Sequence, residues 1–207
     1  MSSKSEARWG WHQLDSRWAE RIVAEATVGP GDLVLDVGAG TGAITSSLVK
    51  SGARVVAVEL HPKRAASLRK RFDRDPVKVV VADAADLWLP RYPFKVVANP
   101  PFAVSAAVLG RLVAPGSPLI RADLVVPWHV ARRWASGHGP GASRWLRQFE
   151  VGVGLSIPRS AFRPPPPNGV ALLVIRRRGW HSDSRGGAKA VGPTLPGAGR
   201  RPGPRRR

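Results

Sequence analysis

The sequence predicts an α/β fold: a doubly wound, mostly parallel seven-stranded sheet with helices on both faces. Three observations predict it. Short β-branched runs alternate with helical patterns, the connections between them are short, and the first run opens directly into a glycine-rich turn. A chain of 207 residues can bury one ordinary α/β core and still carry an appendage or a tail.

From Leu14 to Val28, the residues Leu14, Trp18, Ile22, Val23 and Ala26 recur at three- and four-residue spacings. This predicts an amphipathic helix, ended by Gly29-Pro30-Gly31. Leu33-Val34-Leu35-Asp36-Val37 is nearly all apolar, as a strand covered on both faces should be. The turn Gly38-Ala39-Gly40-Thr41-Gly42 leads from it into a helix from about Ala43 to Lys50. Arg54 to Glu59 reads as the second strand and Pro62 to Phe72 as a basic helix with proline in its opening turn. Val77 to Ala82 is the third strand. Lys95 to Ala98 is the fourth, ended by Asn99-Pro100-Pro101, with a helix from Val104 to Val113 behind it. Leu119 to Val126 is the fifth, followed by a short helix from Trp128 to Ser136. Beyond the break Gly137 to Gly141, Phe149 to Ile157 and Val170 to Ile175 complete the seven, joined by the proline-rich connection Pro158 to Pro167.

The organisation expected is an amino-terminal segment 1–13, a domain 14–178 and a tail 179–207. Residues 176–207 hold ten Lys or Arg, one Asp and many Gly and Pro. That is too little apolar material for a core, and it predicts a disordered basic tail.

The formal net charge of +19 favours a polyanionic partner, nucleic acid first. No apolar run approaches about 18 residues and the charge is not gathered on one amphipathic helix, so no membrane association is expected. The absence of cysteine excludes a disulfide framework, a thiolate zinc site and a cysteine nucleophile. Met1 to Gln13 lacks the continuous apolar core of a signal peptide, and a cytoplasmic location is expected. His12, His61 and His129 are scattered without metal-ligand spacing, so no metal site is expected.

The chemistry lies at strand ends. Glycine in the turn after Asp36-Val37 permits tight curvature and lets a ligand lie against the main chain. Turns of this kind also open other nucleotide sites. Glu59, about 20 residues beyond, could accept hydrogen bonds from both hydroxyls of a ribose, a geometry that would equally suit NAD. Asp83, at the end of the third strand, could accept a hydrogen bond from an adenine amino group. Asn99-Pro100-Pro101-Phe102 narrows the choice to methylation of an amine on a flat ring. An adenine amino nitrogen is a poor nucleophile because its lone pair is delocalised, and the Asn99 oxygen and Pro100 carbonyl offer two acceptors that favour a tetrahedral nitrogen. The prolines stiffen the turn and remove competing donors. Phe102 supplies a surface on which a base can stack. The competing reading is an ordinary proline turn with Phe102 as a core plug.

In this order, and with Ile157-Pro158-Arg159-x-x-Phe162-Arg163-Pro164 near the end of the fold, the motifs resemble the Erm methyltransferases. Those enzymes modify N6 of an adenine in 23S ribosomal RNA and confer macrolide resistance, and they are related to the dimethyladenosine transferases of the small subunit. The resemblance covers about residues 10 to 178 and is nearest to the short actinobacterial type. It implies a Rossmann-like class I methyltransferase fold, S-adenosyl-L-methionine as cofactor, ribosomal RNA as partner and a monomer. It places Gly38, Gly40 and Gly42 against the methionine part of the cofactor, Glu59 on its ribose and Asp83 on its adenine. Trp11, His12, Asp36, Leu60, Ala84 and Asn99 are further cofactor contacts, and Asn99, Pro100 and Phe102 form the catalytic set. Arg132, Arg133, Arg163, Arg176, Arg177 and Arg178 are candidate RNA contacts, and Lys63-Arg64 with Trp128, Trp134 and Trp145 extend that surface. The chain departs from the family at Gly10-Trp11-His12-Gln13, where members usually read Gln-Asn-Phe-Leu, and in carrying the basic tail where typical members have a small helical domain. Small-subunit adenine dimethylation, DNA adenine methylation and non-catalytic RNA binding by the same fold are the other readings. The Pro-Arg-x-x-Phe-x-Pro stretch disfavours DNA.

Overall fold

The computed structural model describes residues 12–180. Trp11 and the basic tail beyond Trp180 lie outside the described residues. The chain begins with a two-residue strand β1 (Gln13–Leu14), then helix α1 (Ser16–Glu25), β2 (Leu33–Val37), α2 (Ala43–Lys50), β3 (Arg54–Glu59), α3 (Pro62–Arg71) and β4 (Val77–Val81). There follow β5 (Phe94–Ala98), α4 (Ser105–Leu112), β6 (Leu119–Pro127), α5 (Trp128–Ala135), the single turn α6 (Ala142–Trp145), β7 (Phe149–Ile157), a two-residue β8 (Phe162–Arg163) and β9 (Val170–Arg177).

The main sheet has seven strands in the order β4-β3-β2-β5-β6-β9-β7. β2 to β6 are parallel, and β9 runs antiparallel to both its neighbours. Alternation along the strands divides the core between two faces. Ala122, Leu124 and Val126 of β6 join Phe94, Val96 and the apolar stripe of α4 on one side, while Val125 joins Ile22 and Val23 of α1 and Leu48 of α2 on the other. Each of the buried Val, Leu, Ile and Phe side chains contributes about 1.5–3 kcal/mol.

Helix α1 is shorter than the periodicity suggests. Leu14 is buried, but as a strand residue, and Asp15 caps the helix by accepting a hydrogen bond from the Arg17 amide at 2.9 Å. The ladder that holds Leu14 joins Gln13 to Arg163 and Leu14 to Phe162, a clip two residues long between distant segments. No sequence period can announce so short a strand. Trp134 and Trp145, expected on an RNA-contacting surface, are instead 1% and 2% exposed and stack on each other at 5.1 Å in the core. Trp134 shares a helical face with Ala131, buried three residues earlier, and that spacing outweighs the neighbouring arginines.

The chain lays β2, β3 and β4 outward in one direction, then returns so that β5 pairs with the other side of β2. Connections leave the carboxyl ends of β2 and β5 in opposite directions. A crevice therefore opens between Gly38 and Asn99, the place where doubly wound sheets bind ligands.

Candidate active site

Gly38 and Gly40 take positive φ, 77° and 57°, which side chains rarely adopt. A Cβ on Gly38 would also lie 2.9 Å from Pro101 Cδ, so the first glycine lets the turn after β2 lie against the Pro-Pro turn after β5. Gly42 does something else. A Cβ there would meet Leu68 Cδ2 at 2.8 Å and Phe72 Cε2 at 2.9 Å, so this glycine seats α2 against α3 and does not line the crevice.

Two cavities meet at Gly38. The larger, about 430 Å³, is lined by Glu59, Leu60, His61, Arg64, Asp83, Ala84 and Pro101, among others. The smaller, about 20 Å³, lies over the glycine turn between Asp36, His12 and Asn99. Glu59 is buried at the end of β3; its Oε2 accepts the Gly40 amide and its Oε1 the His61 amide, both at 2.9 Å, while Arg64 Nε stands 3.3 Å away. Arg64 is thus turned onto Glu59. Asp83 lies two residues past β4 and caps a short 3₁₀ turn, accepting the Ala85 amide at 2.8 Å. The expected cofactor contacts Leu60 and Ala84 are brought to the same wall.

Asp36 is buried in β2, and its Oδ2 accepts the Thr45 hydroxyl at 2.7 Å. Burial lifts this carboxyl from 3.8 to about 7, against the opposing pull of hydrogen bonds from the Thr45 side chain and main chain. Its Oδ1 has no partner. Sequence reading found Asp36 but not Thr45.

Asn99 follows β5 directly. Its Nδ2 donates to the His12 carbonyl at 2.8 Å, which fixes the amide orientation and turns Oδ1 the other way. That oxygen is buried and without a hydrogen-bond partner. The Phe102 ring lies 5.2 Å from the His12 ring, tilted by 37°, and 6.5 Å from Phe162, which meets it edge-on. His12 was expected at the cofactor; its hold on Asn99 was not. Among the described residues no cluster of metal-ligating side chains is present.

A crevice of this volume falls within the usual range for small-ligand sites. The orphaned acceptor Asp36 Oδ1 beside the smaller cavity, with the Glu59 and Asp83 carboxylates along the larger one, is what a cofactor carrying a charged amino-acid end, a ribose and an adenine would satisfy. The donor set fits S-adenosylmethionine.

The candidate RNA contacts divide. Arg132 and Arg133 are exposed on α5, Arg163 is exposed beside the amino-terminal clip, and Trp128, 41% exposed, opens α5 at the crevice end of β6. Arg176, Arg177 and Arg178 lie at the opposite edge of the sheet, because β9 runs antiparallel and Arg176 pairs with Arg121 at the start of β6. Arg177 faces inward: it lies over the Phe149 ring, and its guanidinium donates to the carbonyls of Leu119 and Ser117. Arg178 pairs with Glu150 at 2.9 Å. Among the described residues no helix is long and apolar enough to cross a membrane.

Residues 8–184 match the family model described as ribosomal RNA adenine dimethylase. An rRNA adenine N-6-methyltransferase of Corynebacterium diphtheriae is 37% identical over 163 residues, covering 76% of this chain and 61% of that protein. The ribosomal RNA small subunit methyltransferase A of Thermosynechococcus vestitus is 34% identical over 185 residues, 84% of this chain and 70% of the relative. The crystal structure of the 23S rRNA methyltransferase ErmE superposes with a TM-score of 0.72 at 28% identity, covering 80% of this chain and 69% of that one. The chain thus spans less than two thirds of the Corynebacterium relative. A TehB-like SAM-dependent methyltransferase of Corynebacterium glutamicum shares the fold, with a TM-score of 0.51 at 18% identity, covering 84% of this chain and 94% of that one. The match runs from before the clip to beyond β9, so that crevice, clip and proline turn all fall inside it, and the chain belongs to the ribosomal RNA adenine dimethylase family.

Proposed function

We propose that the chain transfers a methyl group from S-adenosylmethionine to N6 of an adenine in 23S ribosomal RNA, acting as a cytoplasmic monomer and giving resistance to macrolide-type antibiotics. The observation that carries this reading is Asn99 Oδ1, a buried acceptor with its amide orientation fixed and no donor of its own.

Bound along the crevice, S-adenosylmethionine supplies a methyl group already activated by its sulfonium leaving group. The protein's part is orientation. Glu59 would take the ribose hydroxyls, Asp83 the adenine amino group, and the main chain at Gly38 and Gly40 the methionine end. Asn99 Oδ1 accepts one N–H of the target amine and the Pro100 carbonyl a second, which favours a tetrahedral nitrogen with its lone pair aimed for attack. Phe102 carries the base, which must first leave its stack at a cost of a few kcal/mol. The exposed basic groups Arg132, Arg133 and Arg163 offset that by holding phosphates. The amine proton departs to water once the N–C bond has formed, so no strong base is needed.

Expression in a macrolide-sensitive bacterium, with adenine methylation mapped in both ribosomal RNAs by mass spectrometry, tests the proposal. Methylated adenine in 23S RNA with raised macrolide tolerance is the expected result. Methylation confined to the small-subunit RNA would favour the second reading, which the similarity to a small-subunit methyltransferase supports. No methylation of either RNA would overturn both.

A further inference from the structure

We infer that His12 is a positioning residue: its main-chain carbonyl orients Asn99 while its ring sets the plane of Phe102. The inference rests on the reading of Asn99 and Phe102 given above, and it gives His12, where the chain departs from the family pattern, a task at the substrate side of the crevice.

Three contacts meet on this one residue. The His12 carbonyl accepts Asn99 Nδ2 at 2.8 Å. Its ring Nδ1 lies 2.8 Å from the Pro164 carbonyl, and because a carbonyl can only accept, Nδ1 carries the hydrogen. Its ring also packs against Phe102, which Phe162 meets edge-on. The backbone beside it is tied in the same register: Gln13 pairs with Arg163, Leu14 with Phe162, and the Asp15 amide donates to the Ala161 carbonyl at 2.8 Å. The His12 side chain extends this ladder by one rung, beyond the last main-chain pair. Without that rung the carbonyl facing Asn99 is free to swing, and the Asn99 amide can turn its nitrogen towards the substrate, presenting a donor where an acceptor is required. Contact with the two rings holds Phe102 in one plane, so less ordering remains when a base stacks on it.

The two roles separate by substitution in the full chain. His12→Phe keeps a ring and removes the donor. His12→Asn keeps a donor near the Nδ1 position and removes the ring. For His12→Phe we expect kcat on an adenine-containing ribosomal RNA fragment to fall by about tenfold with KM for RNA little changed. For His12→Asn we expect KM for RNA to rise by about fivefold with kcat largely retained. Equal losses in both constants for both variants, or none in either, would overturn the inference. A second readout needs neither RNA nor cofactor: hydrogen exchange of the Asn99 side-chain amide by NMR, assigned with Asn99→Ala. The amide should be protected in the unsubstituted protein, retain protection in His12→Asn and lose it in His12→Phe. An unprotected Asn99 amide in the unsubstituted protein, or protection surviving in His12→Phe, sinks the inference whatever the activity. Failure of the unsubstituted protein to methylate RNA, with the amide protected, would instead count against the proposed function alone.

Discussion

The two edges of the sheet differ in the buried polar atoms they leave without a partner. At the amino-terminal edge of the parallel strands, buried charge is matched. Arg121 makes a two-pronged pair with Asp123, at 2.6 and 2.9 Å, and reaches the Glu25 carbonyl at the end of α1. Lys95 joins Asp32 at 2.8 Å and the Thr27 carbonyl at 2.9 Å. At the carboxyl edge the buried atoms Asp36 Oδ1, Asn99 Oδ1 and Ser105 Oγ have no hydrogen-bond partner. An orphaned buried acceptor costs about 1–3 kcal/mol. One edge is built to hold the fold together, and the other keeps acceptors in reserve for what binds there.

Substitutions at the two edges should therefore fail differently. Asn99→Ala should lower methyl transfer by about a thousandfold or more, while calorimetry shows cofactor binding retained and thermal melting shows the fold intact. Wild-type turnover would remove Asn99 from the site. Arg121→Leu should do the reverse, because it strands the buried Asp123 and costs roughly 3–5 kcal/mol in chemical denaturation, with activity preserved wherever the protein stays folded. Asp36→Asn sharpens the contrast through pH. The folded-state pKa of Asp36 lies above the ordinary 3.8, at about 7, so its contribution is fully present below the lower value and is lost as pH rises through the higher. Between those limits the stability of the unsubstituted protein should fall relative to Asp36→Asn by roughly 1.4 kcal/mol per pH unit. A constant offset would show that Asp36 ionises freely.

The smallest effect concerns RNA. Removing Arg132 and Arg133 together should flatten the salt dependence of RNA affinity by about two units of slope, whereas removing Arg176 and Arg178, at the matched edge, should leave it unchanged. Equal effects from both pairs would erase the distinction between the edges.

Much of the fold was legible because each main strand carries its own run of β-branched and apolar residues and most helices carry their own period. The floor of the crevice was legible for a related reason. Glu59 meets Gly40 and Asp36 meets Thr45 within about one β-α unit, so these motifs and their spacing report the geometry directly. What stayed hidden depends on distant partners. The carbonyl that orients Asn99 comes from His12, and the clip beside it joins residues near 13 and 163, which no local window contains. Trp134 and Trp145 misled for another reason: aromatic residues beside arginines suit both an RNA surface and a core, and only the packing of α6 under α5 decides between them. The third glycine of the turn read as a ligand contact because helix packing and ligand approach both demand the same small residue.

The clip also sets an order of events during synthesis. Residues up to Asp83 supply Glu59 and Asp83, two acceptors of the cofactor side of the crevice, while the rest of the chain is still being made. If His12 positions Asn99 as inferred above, Asn99 is oriented only once Pro164 has left the exit tunnel and reached back to His12, 152 positions earlier. A nascent chain therefore stays without its substrate side for most of its translation, beside the very ribosome whose RNA it is proposed to modify.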